Sequence, residues 1–291
     1  MEKASLAFCP GHISGYFRAV QGDTPEETGS MGAGIVINTG VTARVARSPA
    51  TNVDIFRTGA GGEVLQAISG SPPVEYLLNS LGVTAAVTTR CDLPISAGYG
   101  LSAAALTATA LAANHEFSLG LRPEDCSGLA HIAEVIHRTG LGDVAACQDG
   151  GIDCRKGPGI HADISRLRGP FPDIYSVTFG PLPSPAILGS PGMIEKINAA
   201  FPGDCPCNIQ EFFKFSRYFS EKSGLITPEV RHALDSCDTH GIPASMTMLG
   251  NGVFAAGHGA KEILSGLGTV YTLAVAGRGP YLLNGIEGAT G

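Results

Sequence analysis

The run Leu93-Pro94-Ile95-Ser96-Ala97-Gly98-Tyr99-Gly100-Leu101-Ser102-Ala103-Ala104-Ala105 constrains this chain more than any other stretch. A β-rich run from Val83 to Cys91 leads into a proline and glycine turn. That turn opens directly into an alanine-rich helix over Ser102–His115. Gly98 and Gly100 can take up positive φ and let an anion approach the backbone closely. The helix start leaves amide N–H groups unpaired at the positive end of the dipole. A phosphate fits such a place, and the Ser102 hydroxyl can add a metal contact. A capped structural helix has the same local pattern, so the rest of the chain must decide.

The charge and the glycines narrow the classes. The chain of 291 residues carries a formal charge of −7 and 44% hydrophobic residues. An acidic balance of this kind argues against a nucleic-acid surface. No apolar run is long enough to cross a bilayer, and Met1-Glu2-Lys3-Ala4-Ser5-Leu6 lacks the plan of a secretory signal. We therefore expect a cytoplasmic chain with no nucleic-acid or membrane partner. Forty glycines, about twice the usual share, imply many tight turns and close backbone approaches. Of the eight cysteines only Cys205-Pro206-Cys207 is closely paired, and no histidine completes a zinc site. Reduced, mostly buried thiols are expected.

Strands and helices interleave along the chain, which predicts an α+β or α/β protein of two domains, α+β being the class taken here. Strands are expected over 4–9, 35–47, 51–57 and 174–179. A polar, glycine-rich connection is expected over 10–34 and a loop over 150–159. Helices are expected over 74–81, 123–139, 192–200, 208–222, 228–238 and 260–266. Gly250-Asn251-Gly252 suits a hairpin turn between strands at 244–249 and 253–256, and a strand over 270–276 closes the pattern. The break at Arg166-Leu167-Arg168-Gly169-Pro170 divides the chain into 1–168 and 169–291.

Four features would cooperate in phosphoryl transfer, where a protein mostly positions groups and neutralises charge. The loop supplies a phosphate cradle from Pro94, Ala97, Gly98, Gly100, Leu101, Ser102 and Ala103. Glu134, on one helix face with His131 and Arg138, could join Ser102 in holding Mg²⁺, which prefers oxygen ligands. Asp143, bracketed by Gly142, could orient or deprotonate a hydroxyl, although it could equally cap the next helix. Arg155 could pair with a substrate carboxylate, although a loop arginine is commonly a surface charge.

The order of these features resembles the GHMP kinases, the superfamily of galactokinase, homoserine kinase and mevalonate kinase. Its signature Pro-x-x-x-Gly-Leu-Gly-Ser-Ser-Ala-Ala corresponds to Pro94 through Ala104, with Tyr99 and Leu101 as departures. Pro10-Gly11-His12-Ile13-Ser14-Gly15 resembles the N-terminal family element, and Gly140-Leu141-Gly142-Asp143 the turn bearing the catalytic aspartate. The third family motif, Lys-x-x-Gly-x-Gly-Gly-Gly, is thinned here to Met246-Thr247-Met248-Leu249-Gly250-Asn251-Gly252 and has lost its lysine.

Together with Gly29-Ser30-Met31-Gly32-Ala33-Gly34, these departures look like the archaeal pantoate kinase branch. The resemblance implies a mixed α/β N-terminal domain, a ferredoxin-like C-terminal domain, and ATP and Mg²⁺ as cofactors. It also implies phosphorylation of the 4-hydroxyl of pantoate on the route to coenzyme A. Asp143 is then catalytic, and Ser102 and Glu134 hold the metal. His12, Ser30, Gly32, Ala33 and Arg155 face the substrate. A homodimer is the default for an enzyme of this size. Two other outcomes stand beside this one. The acceptor could be homoserine, mevalonate or shikimate, or the chain could bind a ligand without transferring phosphate.

Overall fold

A computed structural model describes residues 4–182 and 184–283. Two sheets organise it. The first has the order β12 (Tyr281–Leu282), β1 (Ala4–Val20), β2 (Gly29–Arg47), β5 (Ala85–Cys91), β3 (Asn52–Thr58), β4 (Val64–Ser69), with β6 (Ile152–Arg155) pairing β2 and β7 (Ile164–Leu167) pairing β6; the second has the order β11 (Tyr271–Leu273), β8 (Ile174–Gly180), β10 (Asn251–Ala256), β9 (Ala244–Met246). The first sheet is built on a long antiparallel pair, β1 (Ala4–Val20) and β2 (Gly29–Arg47). β3 (Asn52–Thr58) and β4 (Val64–Ser69) form its far edge, with β3 parallel to β5 (Ala85–Cys91). β6 (Ile152–Arg155) and β7 (Ile164–Leu167) extend the other side of β2.

The second sheet contains β8 (Ile174–Gly180), β9 (Ala244–Met246), β10 (Asn251–Ala256) and β11 (Tyr271–Leu273), all antiparallel. This strand order and direction are those of a ferredoxin-like sheet. After a short helix α4 (Asp143–Ala146) in the first half, its first crossover carries α5 (Ser184–Leu188), α6 (Pro191–Ala200), α7 (Ile209–Ser223) and α8 (Pro228–Thr239); its second carries α9 (Ala260–Ser265). The chain then returns, because β12 (Tyr281–Leu282) pairs with β1. A short stretch of the C-terminal half thus belongs to the N-terminal sheet.

α2 (Leu101–Phe117) packs on β1 and β2 and against α1 (Pro72–Ser80) and α3 (Pro123–Ile136). Alanines at 103, 104, 108, 110, 112 and 113 are buried on it, so neighbouring elements approach its backbone on several sides. A second core joins the halves: Ile13, Tyr16 and Phe17 of β1 lie with Phe212, Phe219 and Phe254 from the C-terminal half. Each buried phenylalanine contributes roughly 1.5–3 kcal/mol by leaving water.

Four expectations need correction. The stretch 10–34 is not chiefly a loop: β1 and β2 run deep into it, and only 21–28 connects them. Its glycines mark close approaches inside the sheet; a Cβ on Gly11 would lie 2.8 Å from Thr39 O and from Tyr99 O. The stretch 150–159 is likewise not all loop, since β6 occupies Ile152–Arg155 and is buried throughout. Cys154 and Cys205 are joined by a disulfide, so not all eight cysteines are free thiols. Finally, the hairpin turn expected at Gly250-Asn251-Gly252 sits earlier, over Thr247–Gly250, because β10 already begins at Asn251. The other elements fall close to the expected positions, apart from β4, β7, β12 and a short helix over Ser184–Leu188, which sequence patterning missed.

Candidate active site

The phosphate-type loop lies between β5 and α2. Ser96, Gly98 and Gly100 all have positive φ (61°, 83° and 62°), so the chain reverses sharply before the helix begins. Gly100 is the N-cap and supplies no side-chain cap, which leaves the first-turn amides of α2 for an external acceptor. The loop is clamped by its neighbours. His12 N–H donates to Tyr99 O at 2.9 Å, and a Cβ on Gly100 would lie 3.0 Å from His12 Cβ. From the other side, a Cβ on Gly98 would lie 2.9 Å from Met248 O. The thinned third motif therefore touches the loop backbone to backbone.

Tyr99 accounts for one departure from the family signature. Its ring is buried, and its hydroxyl pairs at 2.9 Å with Ser176 Oγ, which donates to Val253 O. The side chain thus ties the loop to the C-terminal sheet.

A cavity of about 430 Å³ opens over the loop, a size suited to a small ligand. One arm is largely apolar, formed by Val41, Ile55, Val74, Cys91, Ile95 and Leu106, with Ser71 and Thr89 as polar points. Burial pushes the Cys91 thiol up to about 11, so it sits there as a neutral group. The other arm carries His12, Ser14, Ser30, Glu134, Thr139 and Asp143. Among the described residues lining this cavity none is lysine or arginine, and His12 is the lining side chain among them able to carry positive charge.

His12 bridges two carboxylates. Its Nδ1 lies 2.6 Å from Asp143 Oδ1 and its Nε2 lies 2.7 Å from Asp153 Oδ1, with the ring fully buried. Arg155 Nη1 donates to the other oxygen of Asp153. Burial alone would lower the imidazole pKa, but the charges and hydrogen bonds of Asp153 and Asp143 outweigh it and raise it to about 9. Burial likewise opposes the ionised form of Asp143, yet the His12 hydrogen bond and charge hold its pKa below the usual carboxylate value.

Glu134 behaves in the opposite way. Both its carboxylate oxygens are buried without a hydrogen-bond partner among the described residues, and burial together with the Asp143 charge pushes its pKa well up. Gly140 permits this crowding, since a Cβ there would overlap Glu134 and lie 3.0 Å from Asp143 Oδ2.

A buried carboxylate unpartnered among the described residues, beside a second acid and in one cavity with the Ser102 hydroxyl, fits a small hard cation. Among the described residues no group of three or more His, Cys, Asp or Glu could by itself cage a metal. A cation at Glu134 would complete its shell with Ser102, water and ligand phosphate, the habit of Mg²⁺.

The structure brings His12, Ser30, Ala97, Gly98, Gly100, Leu101, Ser102, Ala103, Glu134 and Asp143 together as lining of one cavity. Four expected site residues are elsewhere. Pro94 faces a neighbouring groove with Arg57 and Tyr271. Gly32 and Ala33 lie within β2, where a Cβ on Gly32 would collide with Tyr16 O. Arg155 is 1% exposed, paired with Asp153 behind Ser30 and Gly142 rather than free in a loop. Asp153 was missed because reading 150–159 as a loop made its carboxylate look solvated; recognising Ile152–Arg155 as a buried strand would have exposed it.

Comparison with known proteins agrees with this geometry. A family model described as the GHMP kinases N terminal domain matches residues 66–151. The chain is 45% identical over 279 residues to a pantoate kinase of Methanospirillum hungatei, covering 96% of each chain. It is 29% identical to a pantoate kinase of Thermococcus kodakarensis, over 92% of this chain and 94% of that one. A solved structure described as a phosphotransferase related to the CoA biosynthesis pathway superposes with a TM-score of 0.80 at 24% identity. That match covers 98% of this chain and 100% of the other. The chain belongs to the GHMP kinases, in the pantoate kinase branch.

Proposed function

We propose that this chain transfers the γ-phosphoryl group of ATP to the 4-hydroxyl of pantoate, giving 4-phosphopantoate and ADP. The chain-long 45% identity to a pantoate kinase carries the assignment of the acceptor. The loop, the cavity and the paired acids support the chemistry.

In this reading the apolar arm receives the adenine. The Gly98–Ala103 backbone and the α2 dipole hold the phosphates. Glu134 and Ser102 would hold Mg²⁺, which would neutralise charge on the phosphates. Asp143 orients the attacking hydroxyl and accepts its proton late, since a carboxylate kept ionised by His12 is a weak base. Bond making can precede that proton transfer because phosphoryl transfer proceeds through a loose transition state. Ser14 and Ser30 face the acceptor. The Arg155 charge acts on the acceptor carboxylate from behind Ser30. The enzyme is expected to be a cytoplasmic homodimer, which light scattering of the purified protein can check.

The test measures ADP release against pantoate, homoserine, mevalonate and shikimate. Turnover on pantoate exceeding the others by at least about a hundredfold in kcat/KM supports the proposal. A preference for another alcohol moves the chain to a different acceptor, and ATP binding without turnover on any of them favours a ligand-binding role.

A further inference from the structure

Asp153 lies one residue beyond what the cavity wall displays. It is completely buried on β6 and touches the site only through other side chains. Its Oδ1 accepts from His12 Nε2 at 2.7 Å, and its Oδ2 accepts from Arg155 Nη1. His12 Nδ1 in turn donates to Asp143 Oδ1 at 2.6 Å. Ionised carboxylates are acceptors only, so a ring bonded to one at each nitrogen carries hydrogen on both and is an imidazolium. The chain Arg155–Asp153–His12–Asp143 alternates in sign and runs from the strand interior to the cavity.

The surrounding chain is shaped for this arrangement. Gly34 faces the ring across β1 and β2, and a Cβ there would overlap His12 Nε2. Gly142 does the same for Arg155, leaving a Cβ no room beside Nε. Asp143 Oδ2 makes no hydrogen bond to any described residue, so the His12 contact fixes one oxygen and leaves the other for an acceptor hydroxyl.

We infer that Asp153 is a positioning residue for phosphoryl transfer: it holds the His12 imidazolium, which in turn orients the Asp143 carboxylate toward the acceptor hydroxyl. This rests on the kinase reading above. It assigns the fixed positive charge beside Asp143 to a β6-anchored histidine, in a cavity whose described lining residues include no lysine or arginine.

The first test is Asp153→Asn, which keeps the side-chain shape and removes the charge. In folded enzyme, kcat should fall about 10–100-fold, the usual effect of losing a partner that orients a site ligand. The KM values for ATP and pantoate should stay within about threefold, because neither ligand touches Asp153. A residue acting through Asp143 loses its effect once Asp143 is gone. Adding Asp153→Asn to Asp143→Asn should therefore change kcat by less than about twofold. A folded Asp153→Asn enzyme with wild-type kcat, or a full second loss in the Asp143→Asn background, overturns the inference.

The second test needs neither turnover nor a folded variant at position 153. In ¹⁵N-histidine-labelled wild-type protein, one ring should show two exchange-protected N–H protons, both absent from His12→Gln. Finding at most one such proton on His12 overturns the arrangement even if pantoate turns over. Failure of pantoate turnover with both protons present counts against the kinase reading alone.

Discussion

Gly140→Ala puts the crowded acids under direct strain. A Cβ at this position would overlap Glu134 Oε1, lie 2.7 Å from its Cδ, and lie 3.0 Å from Asp143 Oδ2. Ordinary carbon–carbon contact needs about 3.5–4.0 Å, so the Glu134 carboxylate must retreat by about 1 Å. The side chain is fully buried on α3 and cannot swing into solvent. Mg²⁺ demands oxygens at about 2.0–2.1 Å in near-octahedral geometry, so a 1 Å retreat removes direct ligation. Misplacement on that scale costs on the order of 100-fold in rate. The assay is coupled ADP release at saturating ATP and pantoate, titrated with Mg²⁺. The expected result is a half-saturating Mg²⁺ concentration raised about 10–100-fold, by analogy with disturbed metal shells, together with reduced kcat. A Gly140→Ala enzyme with a wild-type Mg²⁺ response would refute the assignment of Glu134 to the metal.

Further outcomes follow from other parts of the molecule. Asp143→Asn should lower kcat by about 10²–10⁴-fold with ATP binding retained, read by steady-state kinetics and calorimetry. The Cys154–Cys205 bridge closes a separation of 51 residues; reducing it should cost about 2–4 kcal/mol in urea unfolding, and Cys154→Ser should abolish the reductant's effect. Hydrogen bonds from Arg231, and then Arg217, outweigh partial burial and bring the Glu221 carboxyl down to about 2. A depressed carboxyl stabilises above its unfolded pKa and loses that contribution as pH falls from about 4.5 toward 2. These side chains are partly exposed, so the Glu221→Gln penalty should be about 1 kcal/mol near neutrality and vanish toward pH 2, measured by urea midpoints.

Much of this could be read from the chain because local rules and tertiary demands agree there. Pro94 to Ser102 spells a turn, an open helix start and a hydroxyl within a few residues, and the fold uses all three. The buried α2 followed from residue type, whereas the ferredoxin-like half was implied by the family resemblance. The misreadings share one cause. Glycine serves turns and close contacts alike, and the sequence does not say which. Gly11, Gly15, Gly32 and Gly34 looked like a loop but admit carbonyls and side chains into a sheet. The same ambiguity around Gly150 and Gly151 hid β6, and with it the burial of Asp153 and Arg155. The disulfide joins residues whose proximity is tertiary, and no spacing rule pairs Cys154 with Cys205. Asp143 could be singled out from the turn around it, whereas its link to His12 joins positions 131 residues apart.

The central claim concerns a particular oxygen of a particular acceptor, and ³¹P NMR of the reaction mixture observes that oxygen directly. With purified protein, Mg²⁺, ATP and pantoate, the account predicts a new phosphomonoester resonance split into a triplet by the two protons of the 4-methylene carbon, growing in step with ADP and absent with Asp143→Asn. A doublet, from transfer to the 2-hydroxyl, or inorganic phosphate with no ester at all, would contradict it.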